Sequence, residues 1–398
     1  MVPVDTPVAV SVSASDPAVP IALRGFAERI REAAAQGQPL CIRGHGSKDF
    51  LGSPPRGAVL DTRPLCGIVS YEPSELVITA LAGTPLAELE AALAEKGQCL
   101  PFEPPRFADP ADAGQRALNQ RPLHQGTVGG MVAAGLAGPA RASAGSVRDY
   151  ILGALLINGR AQVLRFGGQV MKNVAGYDVS RVLAGSLGVL GLIAEVSLKV
   201  LSHAPAQATL SFACDQAEAL RQLNHWGAQP LPLSASTWHQ GTLHLRLRGA
   251  VAAVEAACHT LSGLGGLDGT RVDAAAAESF WKGCRDQCLP FFERASGLDL
   301  WRLSVPQTAA PLALDAPPLI EWHGAQRWYR LPAGQAQRVR AAARAAGGHA
   351  TLFAAAERAD ATPRFDALAP PLERIHRALK CEFDPQGIFN PGRFYAGF

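Results

Sequence analysis

The stretch GTVGGMVAAGLAG, residues 126–138, constrains this chain more than any other segment, with five glycines in 13 residues. Each glycine costs a helix about 1 kcal/mol relative to alanine, so a packed helix across the whole stretch is disfavoured. The remaining residues are too apolar for a solvent loop. Bare backbone of this kind invites something to lie against it, whether a phosphate, a flat ring system or a neighbouring strand. Two further glycine turns flank it, in CIRGHGSKDFLG (41–52) and in GSLGVLG (185–191).

In the first of these, a strand runs into Arg43-Gly44-His45-Gly46-Ser47. Gly44 and Gly46 accept positive φ without steric cost, so successive N–H groups can turn toward one point and form a nest suited to a diphosphate. Ser47 could add a hydroxyl donor, and Arg43 could support either the turn or the ligand. The same residues could equally form only a turn. The pattern is neither a Walker loop nor G-x-G-x-x-G, so neither a nucleoside triphosphate nor a Rossmann dinucleotide site is indicated. In the second turn, Gly126, Thr127, Val128, Gly129 and Gly130 offer bare backbone and one hydroxyl. The small residues that follow could make a short helix whose N-terminus faces the same ligand, or the segment could simply pack two strands closely. The third turn, Gly185-Ser186-Leu187-Gly188, enters a strand containing Ile193, and Lys172, Tyr177 and Asp178 shortly precede it. Tyr177 reads as a packing residue or an acid.

Composition narrows the classes. Over 398 residues, Lys+Arg at 37 against Asp+Glu at 34 gives a net charge of +3, which offers no electrostatic case for nucleic acid or an anionic membrane as the main partner. The cysteines are scattered and fit a reducing compartment. Cys284 and Cys288 lack the further pair that a zinc site or iron–sulfur cluster needs, so no metal site is expected. The N-terminus has no basic start or long apolar core, which argues against a secretory signal. Residues 182–201 approach the length of a membrane span, but Glu195, Lys199 and several glycines make them a glycine turn followed by a buried strand.

Organisation follows from periodicity. After a mobile leader (1–19), residues 21–36 repeat apolar positions at helical spacing and stop at Gly37. LVITALAGTPLAELEAALAEKGQCL reads as a β-α-β unit, with Thr84 as the helix cap and Pro85 in the first turn. Residues 149–168 read as a hairpin through Asn158-Gly159. Beyond about residue 202, three segments each pair a short strand with a helix rich in alanine and arginine, and residues 305–322 read as a loop. The fold class is α+β.

In combination and in order, RGHGS, EPSELVITALAGTPLAELEAALAEKGQCLPFEPP, GTVGGMVAAGLAGPARASAGSVRDYILGALLINGR, KNVAGYDVSRVLAGSLGVLGLI and FDPQGIFNPGRF resemble the vanillyl-alcohol oxidase type of FAD-binding family, and more closely the E subunits of bacterial glycolate oxidases (glycolate dehydrogenases). The resemblance covers about residues 20–201 and the last twenty or so. It implies a two-subdomain FAD-binding fold (about 20–110 and 120–201), a smaller α+β C-terminal domain (202–375) and a tail (376–398) returning to the FAD domain. It implies that Arg43, Gly44, His45, Gly46 and Ser47 wrap the FAD pyrophosphate. It also implies that Gly126 to Gly130 line flavin and pyrophosphate, and that Gly138, Gly145, Gly185, Ser186, Gly188, Ile193 and Asn390 surround the cofactor.

Departures from the family pattern carry as much information. Members with covalent FAD often have histidine where this chain has Ser47, so FAD is expected without a bond. Leu187 replaces a glutamate of the usual third turn. Sister subunits that oxidise 2-hydroxy acids carry a His/Asp/Asn-rich motif in the C-terminal domain, and His323 and His349 here lack that company. Oxidising a 2-hydroxy acid needs a base, a cation for the carboxylate and a hydride acceptor, and that set is not assembled from the sequence. Arg246, Arg248, Arg327 and Arg330 could face a carboxylate or water. The resemblance implies a subunit of a complex that oxidises glycolate to glyoxylate, with a D-like FAD catalytic subunit that binds the substrate and an iron–sulfur F-like subunit. The implied place is cytoplasmic, at the inner face of the membrane through partners. Rival readings are an assembly subunit without turnover and a stand-alone FAD oxidoreductase of another hydroxy acid.

Overall fold

The computed structural model describes residues 10–12, 21–107, 126–168, 178–263, 268–357 and 362–398. In chain order the strands begin with β1 (Val10–Val12), β2 (Leu40–Arg43), β3 (Ala58–Asp61), β4 (Ile68–Glu72), β5 (Val77–Leu81), β6 (Gln98–Cys99), β7 (Ile151–Ile157), β8 (Val163–Gly167), β9 (Leu192–Lys199) and β10 (Leu201–Ser202). They continue with β11 (Ala206–Ala213), β12 (Leu233–His239), β13 (Thr242–Gly249), β14 (Thr270–Arg271), β15 (Leu298–Ser304), β16 (Leu319–Glu321), β17 (Gln326–Pro332) and β18 (His349–Ala354). The helices are α1 (Ile21–Gln36), α2 (Leu86–Ala94), α3 (Val128–Ala134), α4 (Arg141–Ala144), α5 (Val147–Tyr150), α6 (Gln216–Gly227), α7 (Val251–Gly263), α8 (Ala274–Asp286), α9 (Ala336–Ala345) and α10 (Pro370–Phe383).

A six-stranded antiparallel sheet, ordered β1-β8-β7-β9-β5-β4, forms the centre of the first half. Both of its faces are covered. Ala154, Leu156, Val196 and Leu198 pack with α2 and α3, whereas Leu155, Ile157, Leu192 and Ala194 pack with α1, β2, β3 and the tail residues Ile388 and Phe389. A sheet buried on both sides needs apolar residues at successive positions, which is why Leu192, Ile193 and Ala194 follow one another and Val196 and Leu198 stay apolar beyond Glu195. The expected leader contributes β1, paired with β8 at the sheet edge, and its other residues lie outside the described set.

An eight-stranded antiparallel sheet, ordered β14-β11-β13-β12-β16-β17-β15-β18, dominates the second half. One face carries α6, α7 and α9. On the other face Leu300, Leu319, Trp328 and Phe353 meet Leu51, Phe107, Leu136 and Leu187 from the first half. The chain end returns: Leu40 of β2 bridges Phe389 in parallel. Lys380 of α10 donates to Asp384, Val189 O and Phe389 O while Asp384 accepts from the amides of Ile388 and Phe389. That buried ion pair is fully bonded, which is the condition under which such a pair is tolerated.

Several local expectations change. Thr84 does not cap α2: its hydroxyl donates to Gly67 O and accepts from Gly67 N, and Pro85 occupies the cap. The β-α-β reading also fails, because after α2 the chain enters β6, which pairs with β10 rather than returning beside β5. The hairpin at Asn158 is present. Its connection spans residues 158–162, closed by Asn158 Oδ1 accepting from the amides of Arg160 and Gln162.

Candidate functional site

β2 delivers the chain into the first glycine turn, where Gly46 takes φ 75°. The amides of His45, Gly46, Ser47 and Lys48 donate to no backbone carbonyl among the described residues, leaving a row of donors at the mouth of a groove. Arg43 supports the turn: its guanidinium lies against Gly46 and pairs with Asp49 at 2.8 Å. A Cβ on Gly44 would come within 2.6 Å of Thr127 Oγ1, so the first turn and the second glycine segment touch through bare backbone. Likewise a Cβ on Gly126 would stand 2.8 Å from Lys48 Nζ and 3.3 Å from Ser47 Oγ.

The groove continues past these residues. One crevice of about 90 Å³ is lined by residues 41–49, Thr127, Gly130 and Arg393, and a second of about 60 Å³ by Gly129, Gly188, Gly191 and Ile193. They share Ile42, Gly44, Gly130, Ala133, Leu187 and Asn390, and so form one continuous cleft. Pockets holding a small molecule run to roughly 300–1,000 Å³, so the walls must separate to admit a dinucleotide.

Asn390 fixes this junction. Its Oδ1 accepts from Ile42 N at 2.9 Å, its Nδ2 donates to Leu187 O at 2.7 Å, and its own amide donates to Leu40 O. Gly188 must be glycine here, because it combines φ 73° with a Cβ position 2.6 Å from Asn390 Nδ2. Arg393, 7% exposed, donates to the carbonyls of Lys48, Asp49 and Ser53 and so holds the loop after the nest.

Two residues that the pattern reading passed over carry the charge. Arg393 is one. Lys48 is the other: burial pushes its ammonium down to about 8. No carboxylate lies within ion-pair distance of it among the described residues, and its ammonium sits 5.7 Å from the Phe107 ring. A half-buried ammonium without a partner is costly, and this one borders the free amides and Ser47, which is 5% exposed. The donors, the hydroxyl and the unpaired cation fit the diphosphate of FAD. Lys48 directly follows the quoted turn, so its adjacency to the nest was the available signal.

Other expected residues serve differently. The short helix α3 does not aim its N-terminus at a ligand: Val128 N and Gly129 N donate to Thr84 O and Ala82 O, and Gly130 N to Thr127 Oγ1. Val128 is fully buried in the core. In the third turn, Gly185 N and Leu187 N donate to Val132 O and Ala133 O, and Ser186 caps Gly188 N, so this turn staples α3. Gly138 packs on Glu103 and Gly145 on Asp149, both away from the groove. Asp178 pairs with Arg181, and Lys172 and Tyr177 lie outside the described residues. The arginines expected to face a carboxylate or water face protein. Arg246 and Arg248 grip Glu103 at 2.8 and 3.2 Å, Arg327 donates to the carbonyls of Ala309, Ala310 and Gly324, and Arg330 donates to Phe291 O. His323 is buried, with Nε2 3.4 Å from Ser143 Oγ and burial lowering its pKa, while His349 sits exposed at the start of β18. Among the described residues no cluster of His, Cys, Asp or Glu could hold a metal, and no helix is long and apolar enough to cross a membrane. A larger cavity, about 1,100 Å³ between α2 and α8, lies elsewhere, and its Arg106, Arg246, Arg271, Lys282 and Arg285 are paired with carboxylates.

This architecture is that of FAD-linked proteins of the vanillyl-alcohol oxidase type. Residues 25–114 match the family described as "FAD binding domain". Solved structures of alkyldihydroxyacetonephosphate synthase superpose with a TM-score of 0.61 at 14% identity, covering 92% of this chain and 74% of theirs, a likeness of fold. The chain is 44% identical over 369 residues to glycolate oxidase subunit GlcE of Escherichia coli K12, covering 93% of this chain and 96% of that one, and it belongs to that family. Glycolate oxidase subunit GlcD of Bacillus subtilis is 27% identical over 186 residues, 46% of this chain and 36% of that protein.

Proposed function

We propose that this chain is the FAD-binding subunit of a glycolate dehydrogenase (glycolate oxidase) complex that oxidises glycolate to glyoxylate. The observation that carries the reading is the cleft in which free amides at 45–48, Ser47 and unpaired Lys48 meet the second glycine segment. The 44% identity to a glycolate oxidase subunit along nearly the whole chain supports the substrate class.

In this reading residues 20–201 with the tail hold the cofactor and residues 202–375 cover it. The amides of the first turn, Ser47 and Lys48 hold the diphosphate, Gly126, Thr127, Gly129, Gly130, Gly188 and Ile193 let it approach the backbone, and Asn390 keeps the two walls in register. Arg43, Val128, Gly138, Gly145, Gly185 and Ser186 act behind that surface. Bound FAD supplies the two-electron acceptor. Ser47 replaces a linking histidine, so the cofactor is held without a covalent bond. Partners are a D-like flavoprotein and an iron–sulfur F-like subunit, which place the chain at the inner face of the membrane.

The test is the visible spectrum of the purified chain, alone and co-expressed with its neighbours. Yellow protein that releases free FAD on denaturation, and bleaches with glycolate in the complex, is the expected result. A colourless chain that takes up no added FAD defeats the reading, and flavin that never bleaches in a turning-over complex reduces this subunit to assembly.

A further inference from the structure

The groove of about 1,100 Å³ between α2 and α8 shares no lining residue with the cofactor cleft. Two of its walls are helices. α2 is apolar on two sides: Leu86, Leu89 and Leu93 are sunk in the core, while Ala87, Ala91 and Ala94, spaced i, i+4, i+7, line the groove. A helix that is apolar nearly all round belongs in an interior, yet Ala91 and Ala94 are exposed. α8 presents Ala274, Ala277 and Trp281 to the same space, and β6, β11 and β13 contribute Cys99, Thr209, Arg246 and Arg248. Alanine loses no rotamer freedom on burial, so these walls are covered without a side-chain entropy penalty.

The charges in the groove are matched one to one except at a single place. Arg106 pairs with Glu90, Arg271 with Glu255, Lys282 with Glu278 and Arg285 with Asp286. Asp273 accepts from the amides of Ala275 and Ala276 and so caps α8. Arg246 and Arg248 share Glu103, at 2.8 and 3.2 Å, and pair with no other carboxylate among the described residues. Arg246 is 3% exposed; its Nε and Nη2 donate to Ser234 and Glu103, and its Nη1 makes no hydrogen bond among the described residues. Two guanidinia on one carboxylate leave one surplus positive charge. A charge without compensation is costly where it is buried, so this position is the complement of one further carboxylate.

We propose that the groove receives an amphipathic helix of a partner subunit, which lays small residues against the alanines of α2 and α8 and brings an Asp or Glu to Arg246 and Arg248. The inference rests on the reading of this chain as one subunit of a complex, and it assigns the contact to a face of this chain. A helix with its side chains is about 10–12 Å across and rises 1.5 Å per residue, so the groove takes roughly two turns. An added strand fits less well, because it needs a free sheet edge. β11 already lies between β13 and β14, and its Thr209 O accepts from Val272 N. Charge complementarity of this kind sets which partner docks and in what register.

Cys99, a partly buried free thiol in the groove lining, is a native reporter. The experiment alkylates the full chain with N-ethylmaleimide, alone and in the complex purified with its co-expressed D-like and F-like neighbours, and reads each cysteine by peptide mass spectrometry. Cys66 and Cys381, exposed and outside the groove, calibrate the reagent. Cys99 should react at least tenfold more slowly in the complex than in the free chain. Ala91→Trp, which fills the groove, should cut the co-purified partner at least tenfold while the FAD content and thermal midpoint of the isolated chain hold. Arg248→Gln removes the surplus charge and keeps the Arg246–Glu103 pair, so assembly should weaken and lose part of its salt dependence. Equal Cys99 reactivity in an intact complex, or normal assembly of Ala91→Trp, overturns the proposal. So does an isolated chain that protects Cys99 as a dimer, since the occupant is then a second copy. A chain that co-purifies with neither neighbour defeats the subunit reading itself, and the docking with it.

Discussion

Replacing Lys48 by methionine should move stability and cofactor affinity in opposite directions. The fall of this ammonium from 10.5 to about 8 corresponds to ~3 kcal/mol against the charged form. Lys48 also keeps partial solvent contact, so about 1–2 kcal/mol is expected to appear as stability. Because the folded value lies below the unfolded one, the penalty is full below pH 8 and disappears as pH rises from 8 to 10.5. Lys48→Met should therefore raise the thermal midpoint of the FAD-free chain by roughly 1–2 °C at pH 7, and the gain should shrink at pH 10. In the proposed site the same substitution removes a charge-assisted bond to the diphosphate, worth ~1.5–3 kcal/mol, so FAD should bind about 10–100-fold more weakly. For wild type, FAD affinity should decline as pH climbs past 8, since the empty chain then carries a neutral amine. Calorimetric unfolding and FAD titration by fluorescence quenching read both halves. A lower midpoint in the FAD-free variant together with unchanged FAD affinity would refute the assignment, since Lys48 would then be an ordinary packing residue.

Asn390→Ala leaves Ile42 N and Leu187 O without their bonds and places alanine at φ 43°. The loss should be about 2–4 kcal/mol by urea unfolding, with FAD lost on gel filtration. Glu103 bridges Arg246 and Arg248 and accepts from Ala140 N. Burial pushes its carboxyl up, but the two guanidinia outweigh that and hold it below the ordinary 4.5. Its stabilisation is present above that ordinary value and lost as pH falls through the lower folded one. Glu103→Gln should cost ~3–5 kcal/mol at pH 7, by leaving Arg246 buried and uncompensated, and should flatten the acid limb of a stability-versus-pH profile. Gly44→Val, which would drive a side chain into Thr127, should abolish FAD retention while urea unfolding shows a smaller change.

Features set by neighbours in sequence were readable. The 3.6-residue repeat of Leu23, Phe26, Ile30 and Ala33 marks α1, and all four are buried. Asn158-Gly159 marks the hairpin, and Gly46 takes the left-handed φ expected in the first turn, whereas Gly44 does not and is instead pressed against Thr127. What failed depended on partners far along the chain. Thr84 has the position of a cap, but Gly67 offers it both a donor and an acceptor. The third glycine turn looks like the first, yet its amides meet α3 carbonyls, and only the fold shows that they are taken. The arginines alternating along β13 and β17 suggested solvent exposure, because nothing local announces Glu103 or the carbonyls of the 309–310 loop.

The bond from Ile42 N to Asn390 joins residues 348 positions apart. A ribosome adding roughly 5–20 residues per second needs about 20–70 s to span that interval. During that time the nest at 43–47 exists without the amide that braces it. In the proposed reading, cofactor loading then waits for the segment around Asn390, and a cell short of FAD would accumulate chains still ajar at that junction.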